Sequence, residues 1–119
     1  EQYNKEIGDF ATSLMLEIGL INKVDVQKES KNNRAYRKYF MHGTSHFLGL
    51  DTHDVGDYNK PFEKNMVFTI EPGIYLPKEK LGIRLEDNYV VQKKGEPKNL
   101  TSGIPLEISE IEDLILGGH

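Results

Sequence analysis

Three of the four histidines of this 119-residue chain fall within twelve positions, at His42, His46 and His53. A neutral imidazole is the commonest protein metal ligand and the commonest proton carrier near neutral pH. Crowding of this kind points to metal binding or acid–base work. Gly43 and Gly49 in the same stretch suggest a backbone that turns tightly or approaches something closely. The plainer reading makes each histidine a surface group or a satisfied core group, and three so close together weigh against it. His42 and His46 stand at i, i+4, as in a helical zinc site. No Glu follows His42, however, so the HExxH zinc motif is absent.

Two carboxylates form a second signal. Glu71 lies in Thr69-Ile70-Glu71-Pro72-Gly73, inside an otherwise apolar strand pattern. An ionised Glu buried there costs several kcal/mol unless a cation or hydrogen-bond donors meet it. Pro72 cannot donate to a ladder, so the strand is expected to end or bend at that point and aim Glu71 into a pocket. The alternative is an edge residue facing water. Alternation within Ile83–Val91 sets Arg84 and Glu86 on one face, opposite Ile83 and Leu85. Arg84 is a permanent cation with forked donors, able to hold a carboxylate in place and ionised. A surface salt-bridge ladder would show the same pattern. One imidazole with two carboxylates makes a nitrogen and oxygen donor set suited to Mn²⁺, Co²⁺, Fe²⁺ or Zn²⁺.

The elements that position these groups are partly legible. Ile7, Phe10, Ala11, Leu14, Met15 and Ile18 follow one helical face, with Gly19 placed for a left-handed cap and Leu20 for the contact beyond it. This helix is expected to cover a sheet. Residues 22–38 read as loop with a short helix around Val24 to Lys31. Tyr39-Phe40-Met41 is expected to enter the sheet. Met66 to Leu76 reads as strand interrupted at Pro72-Gly73, and Ile83 to Val91 as a second strand after a charged loop. Ser109 to Glu112 has the spacing of a capping box opening a helix that Gly117 ends.

Composition narrows the function further. The net charge is −4, and the Lys and Arg residues are spread out, so no basic stripe for nucleic acid exists. The basic stretch from Lys28 to Lys38 reads as a solvated surface. The chain has no cysteine, which excludes disulfides and thiolate metal sites. No apolar run approaches the roughly 18 residues that span a bilayer, and no signal peptide is visible, so no membrane association and a cytoplasmic location are expected. The chain opens at Glu1 within a helical pattern, which reads as a boundary inside a longer protein. Gly117-Gly118-His119 reads as either native sequence or the start of a tag.

The runs HGTSHFLGLDTHD (from His42), FTIEPGIY (from Phe68) and GIRLED (from Gly82), in that order and at these intervals, resemble aminopeptidase P. This Xaa-Pro aminopeptidase family is part of the pita-bread metallopeptidase group, with prolidase and methionine aminopeptidase. The resemblance is strong from Lys38 to Asn88. It continues more loosely through Asn99-Leu100-Thr101 and the closing helix, and back into the first helix. Ser45 before His46 and Phe47-Leu48-Gly49 after it look more like aminopeptidase P than prolidase. Thr52 departs from the Val or Ile usual before the third histidine.

The resemblance implies an α+β fold. Residues 1–119 would be a single-domain fragment, the C-terminal part and about half of a pita-bread catalytic domain, with an antiparallel sheet covered by helices. It implies His46, Glu71 and Glu86 as metal ligands, with Glu71 also assisting proton transfer and Glu86 bridging two divalent ions, Mn²⁺ foremost. His42 and His53 match two non-ligand histidines beside the substrate, with His53 polarising the scissile carbonyl. Arg84 matches an arginine that fixes the carboxylates. The family's other two ligands are aspartates upstream of the position that matches Glu1, and Asp9, Asp25, Asp51 and Asp54 do not match them. The parent protein is therefore expected to hydrolyse peptides with proline in second position. These residues alone are expected to bind metal weakly, to be inactive, and to form a homo-oligomer or aggregate through an exposed sheet edge. The alternatives are a prolidase acting on dipeptides and a non-catalytic binding module on the same fold.

Overall fold

The computed structural model describes residues 2–117. The readings made of Glu1 and of Gly118-His119 lie outside the described residues. Helices and short antiparallel strands form an α+β chain whose contacts fall into two compact units.

One unit comprises the chain up to Ser45 together with Glu71–Arg84. Its first helix, α1 (Gln2–Glu17), matches the apolar stripe, but the stripe divides. Met15 is buried with Ile21, Tyr36 and Phe40, and Ile7 and Ala11 pack partly against that cluster. Phe10, Leu14 and Ile18 stay exposed along the helix. Gly19 ends the helix with φ of 74°, a left-handed conformation that glycine adopts without a Cβ clash. The main packing partner of α1 is a 3₁₀ turn at Ala35–Lys38, which delivers Tyr36 and then Phe40 to the core. Between them α2 (Lys23–Gln27) is shorter than the expected helix, and Asn22 and Asp25 close a reciprocal capping box at its start.

The segment read as solvated basic surface contains a structural pin. Arg34 donates to Glu29 at 2.7 Å and to Asp9 of α1 at 2.9 Å, and its guanidinium lies 5.6 Å from the Tyr36 ring centre. Hydrogen bonds from Lys5 and then Arg34 hold the Asp9 carboxyl below its ordinary pKa. Tyr39-Phe40-Met41 forms no strand. Phe40 turns into the core instead, while the Tyr39 carbonyl accepts from the Tyr75 N–H at 2.9 Å.

The long strand pattern from Met66 breaks where expected. β1 (Val67–Ile70) stops before Glu71-Pro72, and β2 (Gly73–Leu76) pairs antiparallel with β3 (Leu81–Arg84) across a 3₁₀ turn at Pro77–Glu79. The second pattern, read as one strand over Ile83–Val91, is two. β3 ends at Arg84, and β4 (Asp87–Val90) begins after Leu85-Glu86. The two halves enter different sheets, so unbroken alternation across Arg84 and Glu86 does not hold.

The other unit comprises His46–Ile70 and the chain from Leu85 onward. Its sheet has the order β1-β4-β5, with β5 at Lys98–Asn99. Phe68 of β1 is buried, against Phe62 at 4.6 Å and cross-strand from Tyr89 at 6.1 Å between ring centres. The closing helix α3 (Ile108–Leu116) has no buried residue. Glu107 occupies its N-cap position without a side-chain cap bond, so the capping box read at Ser109 does not form. Ser109 already lies inside the first turn. Gly117 caps the end as expected. No helix among the described residues is long and apolar enough to cross a membrane.

Candidate metal centre

The histidine-bearing segment forms no assigned strand, yet it runs antiparallel beside β1. The Leu48 N–H donates to the Val67 carbonyl at 3.1 Å, the Thr69 N–H to His46 at 2.9 Å, and the Glu71 N–H to Thr44 at 2.8 Å. Phe47 bridges to Phe68 between them. At His46 a side chain completes the pattern, since the His46 N–H donates to Thr69 Oγ1 at 3.1 Å. Thr69 is wholly buried, so its hydroxyl holds His46 from a site that water does not reach.

Alternation then decides which groups share a face. Along β1, Val67, Thr69 and Glu71 point one way, and His46 stands opposite Thr69 on that side. In the β1–β4 ladder Thr69 faces Asn88 and Ile70 faces Asp87. One ligand atom from each of His46, Glu71 and Glu86 lies within 4.8 Å of the others. Glu71 is half-buried and Glu86 exposed.

The start of β4, immediately after Glu86, is held by a polar cluster. Thr101 accepts from the Asn88 N–H at 3.1 Å through its hydroxyl and donates that hydroxyl to Asp87. The Leu100 N–H donates to the Asn88 carbonyl at 2.7 Å. The His46 ring is also oriented. Its Nδ1 lies 2.9 Å from the Phe47 carbonyl, which only accepts. Nδ1 therefore carries the proton, and the Nε2 lone pair is the one suited to a cation. A nitrogen and two carboxylate oxygens, without sulfur, fit a divalent first-row ion.

The remaining expected site residues are placed as follows. His53 is exposed, and its ring lies 4.3 Å from that of His46 between centres, tilted by 58°. His42 is held on both nitrogens, with Nδ1 2.7 Å from the Gly43 carbonyl and Nε2 2.8 Å from the Tyr75 hydroxyl. Arg84 ends β3 opposite Gly73, two residues ahead of Glu86. Asp9, Asp25, Asp51 and Asp54 do not belong to the ligand group. Sequence reasoning missed Thr69 and Tyr75, which bond to His46 and His42, and Thr101, which holds the start of β4. The available signal for Thr69 was a polar residue two positions before Glu71, on the Glu71 face of an apolar strand.

Residues 4–93 match the model of metallopeptidase family M24. The chain is 38% identical to the Xaa-Pro aminopeptidase of Haemophilus influenzae, an alignment that covers 97% of this chain and 29% of the relative. With the Xaa-Pro aminopeptidase of Escherichia coli the identity is 37%, over 96% of this chain and 28% of the relative. A solved Bacillus anthracis structure, provisionally described as an aminopeptidase P, superposes with a TM-score of 0.77 at 40% identity. It covers 96% of this chain and 25% of that one. The chain thus spans less than a third of the length of the curated relatives it matches. Since the family model takes in the strand-end glutamates and all three clustered histidines, the chain belongs to metallopeptidase family M24.

Proposed function

We propose that this chain carries part of the active centre of an Xaa-Pro aminopeptidase, a cytoplasmic enzyme that releases the residue preceding a proline in second position. The observation that carries this reading is the convergence of His46, Glu71 and Glu86 within 4.8 Å. Two carboxylates set this close beside one imidazole, with Glu71 half-buried, repel each other and are costly without a cation to neutralise them. Two divalent ions, Mn²⁺ foremost, are the proposed occupants, and when bound they supply an activated water and polarise the scissile carbonyl.

The chain's own residues then have separable tasks. His46 presents a neutral nitrogen, its tautomer fixed by the Phe47 carbonyl. Glu71 follows the last residue of β1, and its backbone is tied to Thr44, so its carboxylate is well placed to accept a proton from the attacking water. Glu86 would supply a further carboxylate oxygen to hold the ions. His53 lies beside His46, exposed to an incoming peptide, and would donate to the oxyanion that develops on the carbonyl. Arg84 would hold the carboxylates from the end of β3. His46, Glu71 and Glu86 are three of the five protein ligands of the proposed centre. The chain alone would therefore bind metal weakly and lack turnover.

The test has two arms. In the full-length protein, Glu86→Ala should abolish release of the first residue from an Xaa-Pro tripeptide. Undiminished turnover would remove Glu86 from the chemistry, and absence of turnover in the unmodified full-length protein would favour a scaffold. Cleavage of a dipeptide but not of the matching tripeptide would replace this reading with prolidase.

A further inference from the structure

Tyr75 lies in a notch that two glycines create. It stands directly opposite Gly82 in the β2–β3 ladder, and Gly73 is two residues earlier on the same face of β2. A Cβ on Gly82 would sit 2.7 Å from Tyr75 Cδ1, and a Cβ on Gly73 2.8 Å from the Tyr75 hydroxyl oxygen. Neither position can carry a side chain unless the ring moves. Both glycines are built with ordinary strand backbone, so the reason for glycine is the space and not the dihedral angles.

The ring so placed meets His42. The ring centres are 5.4 Å apart, edge to face, and Phe40 closes the other side of the imidazole at 4.9 Å. The Gly43 carbonyl only accepts, so its 2.7 Å contact puts a proton on Nδ1. In the neutral ring Nε2 then has a lone pair, which accepts the Tyr75 hydroxyl at 2.8 Å. Both nitrogens are committed. A neutral His42 in this state has no N–H left to offer a substrate carbonyl and no lone pair left to take a proton.

We infer that Gly73, Gly82 and Tyr75 form a positioning device that locks His42 as the Nδ1–H tautomer. His42 thereby shapes the substrate-facing surface without exchanging protons there. The role beside a substrate rests on the peptidase reading above, whereas the lock itself does not. Tyr75 and Gly82 are positioning residues, because they act through His42.

The experiment is side-chain ¹⁵N NMR of the chain at pH about 8, above the ordinary imidazole value. The unmodified chain should show His42 as a single tautomer, with a protonated Nδ1 and an unprotonated, hydrogen-bonded Nε2. Tyr75→Phe keeps the ring and removes the hydroxyl, and should populate the Nε2–H tautomer of His42. Gly82→Ala should give the same change by displacing the ring. Gly103→Ala, where an added Cβ meets nothing within 4 Å, should leave the His42 signals unchanged. An Nε2–H tautomer in the unmodified chain, or His42 signals unmoved by Tyr75→Phe, would overturn the inference. The readout needs neither metal nor turnover, so failure of the peptidase proposal leaves it standing. Should Gly82→Ala fail to fold, Tyr75→Phe still decides.

Discussion

At the scale of single residues, the proposed ligands depend on neighbours that do not touch a metal themselves. Thr69 is the sharpest case, because its buried hydroxyl takes the His46 N–H while its own N–H goes to the His46 carbonyl. Thr69→Val preserves shape and leaves that N–H without a buried acceptor. Loss of such a partner costs about 1–3 kcal/mol. Removing the outer support of a metal ligand lowers affinity by about 10–100-fold. Mn²⁺ affinity of the chain should therefore fall by at least about tenfold, measured by electron paramagnetic resonance titration, while the circular dichroism spectrum persists. An unaltered affinity would show that Thr69 does not hold His46. The three candidates themselves were legible, His46 from the crowding of histidines and Glu71 and Glu86 from acidic groups set in apolar strand patterns. Thr69 and Tyr75 were not, because an ordinary strand threonine or tyrosine looks the same until its partner is known.

Element-scale stability in the first unit centres on Arg34, which joins α1 to the loop that follows α2 through Asp9, Glu29 and the Tyr36 ring. Arg34→Ala should destabilise the chain by about 1–2 kcal/mol, a value lowered from that of buried charged bonds because the site is partly open to water. Urea denaturation at neutral pH measures it. Asp9 adds a pH dependence. Its folded pKa is lowered, by hydrogen bonds from Lys5 first and Arg34 second. A carboxyl with a depressed folded value stabilises the fold above its unfolded value, about 4, and loses that contribution as pH falls through the folded one. The stability difference between the unmodified chain and Asp9→Asn should thus shrink below pH about 4, and a constant difference down to lower pH would refute the coupling. The elements were read best where one period ran uninterrupted, as in α1. They were read worst over Ile83–Val91, where alternation continues through a break at Leu85-Glu86 that hydrogen bonding to two different sheets imposes. The capping box at Ser109 failed for a related reason. Its spacing was right, but the helix starts two residues earlier, and Ser109 falls inside the first turn.

For the whole molecule, the most consequential feature is apolar surface. Phe10, Leu14 and Ile18 lie exposed along α1, and Ile108, Leu114, Ile115 and Leu116 along α3. Exposed apolar ridges of this kind promote association. The chain should therefore elute on size exclusion larger than its 13.6 kDa mass, shifting with concentration. A clean monomer at all concentrations would contradict that. More locally, His46, Glu71 and Glu86 are proposed as ligands to the same cation. Crystals of the chain soaked in millimolar Mn²⁺ and measured at the manganese absorption edge test this most directly. An anomalous peak is expected within coordination distance of His46 Nε2 and a carboxylate oxygen of each glutamate. A map with no peak there, or with manganese bound only elsewhere, would contradict it.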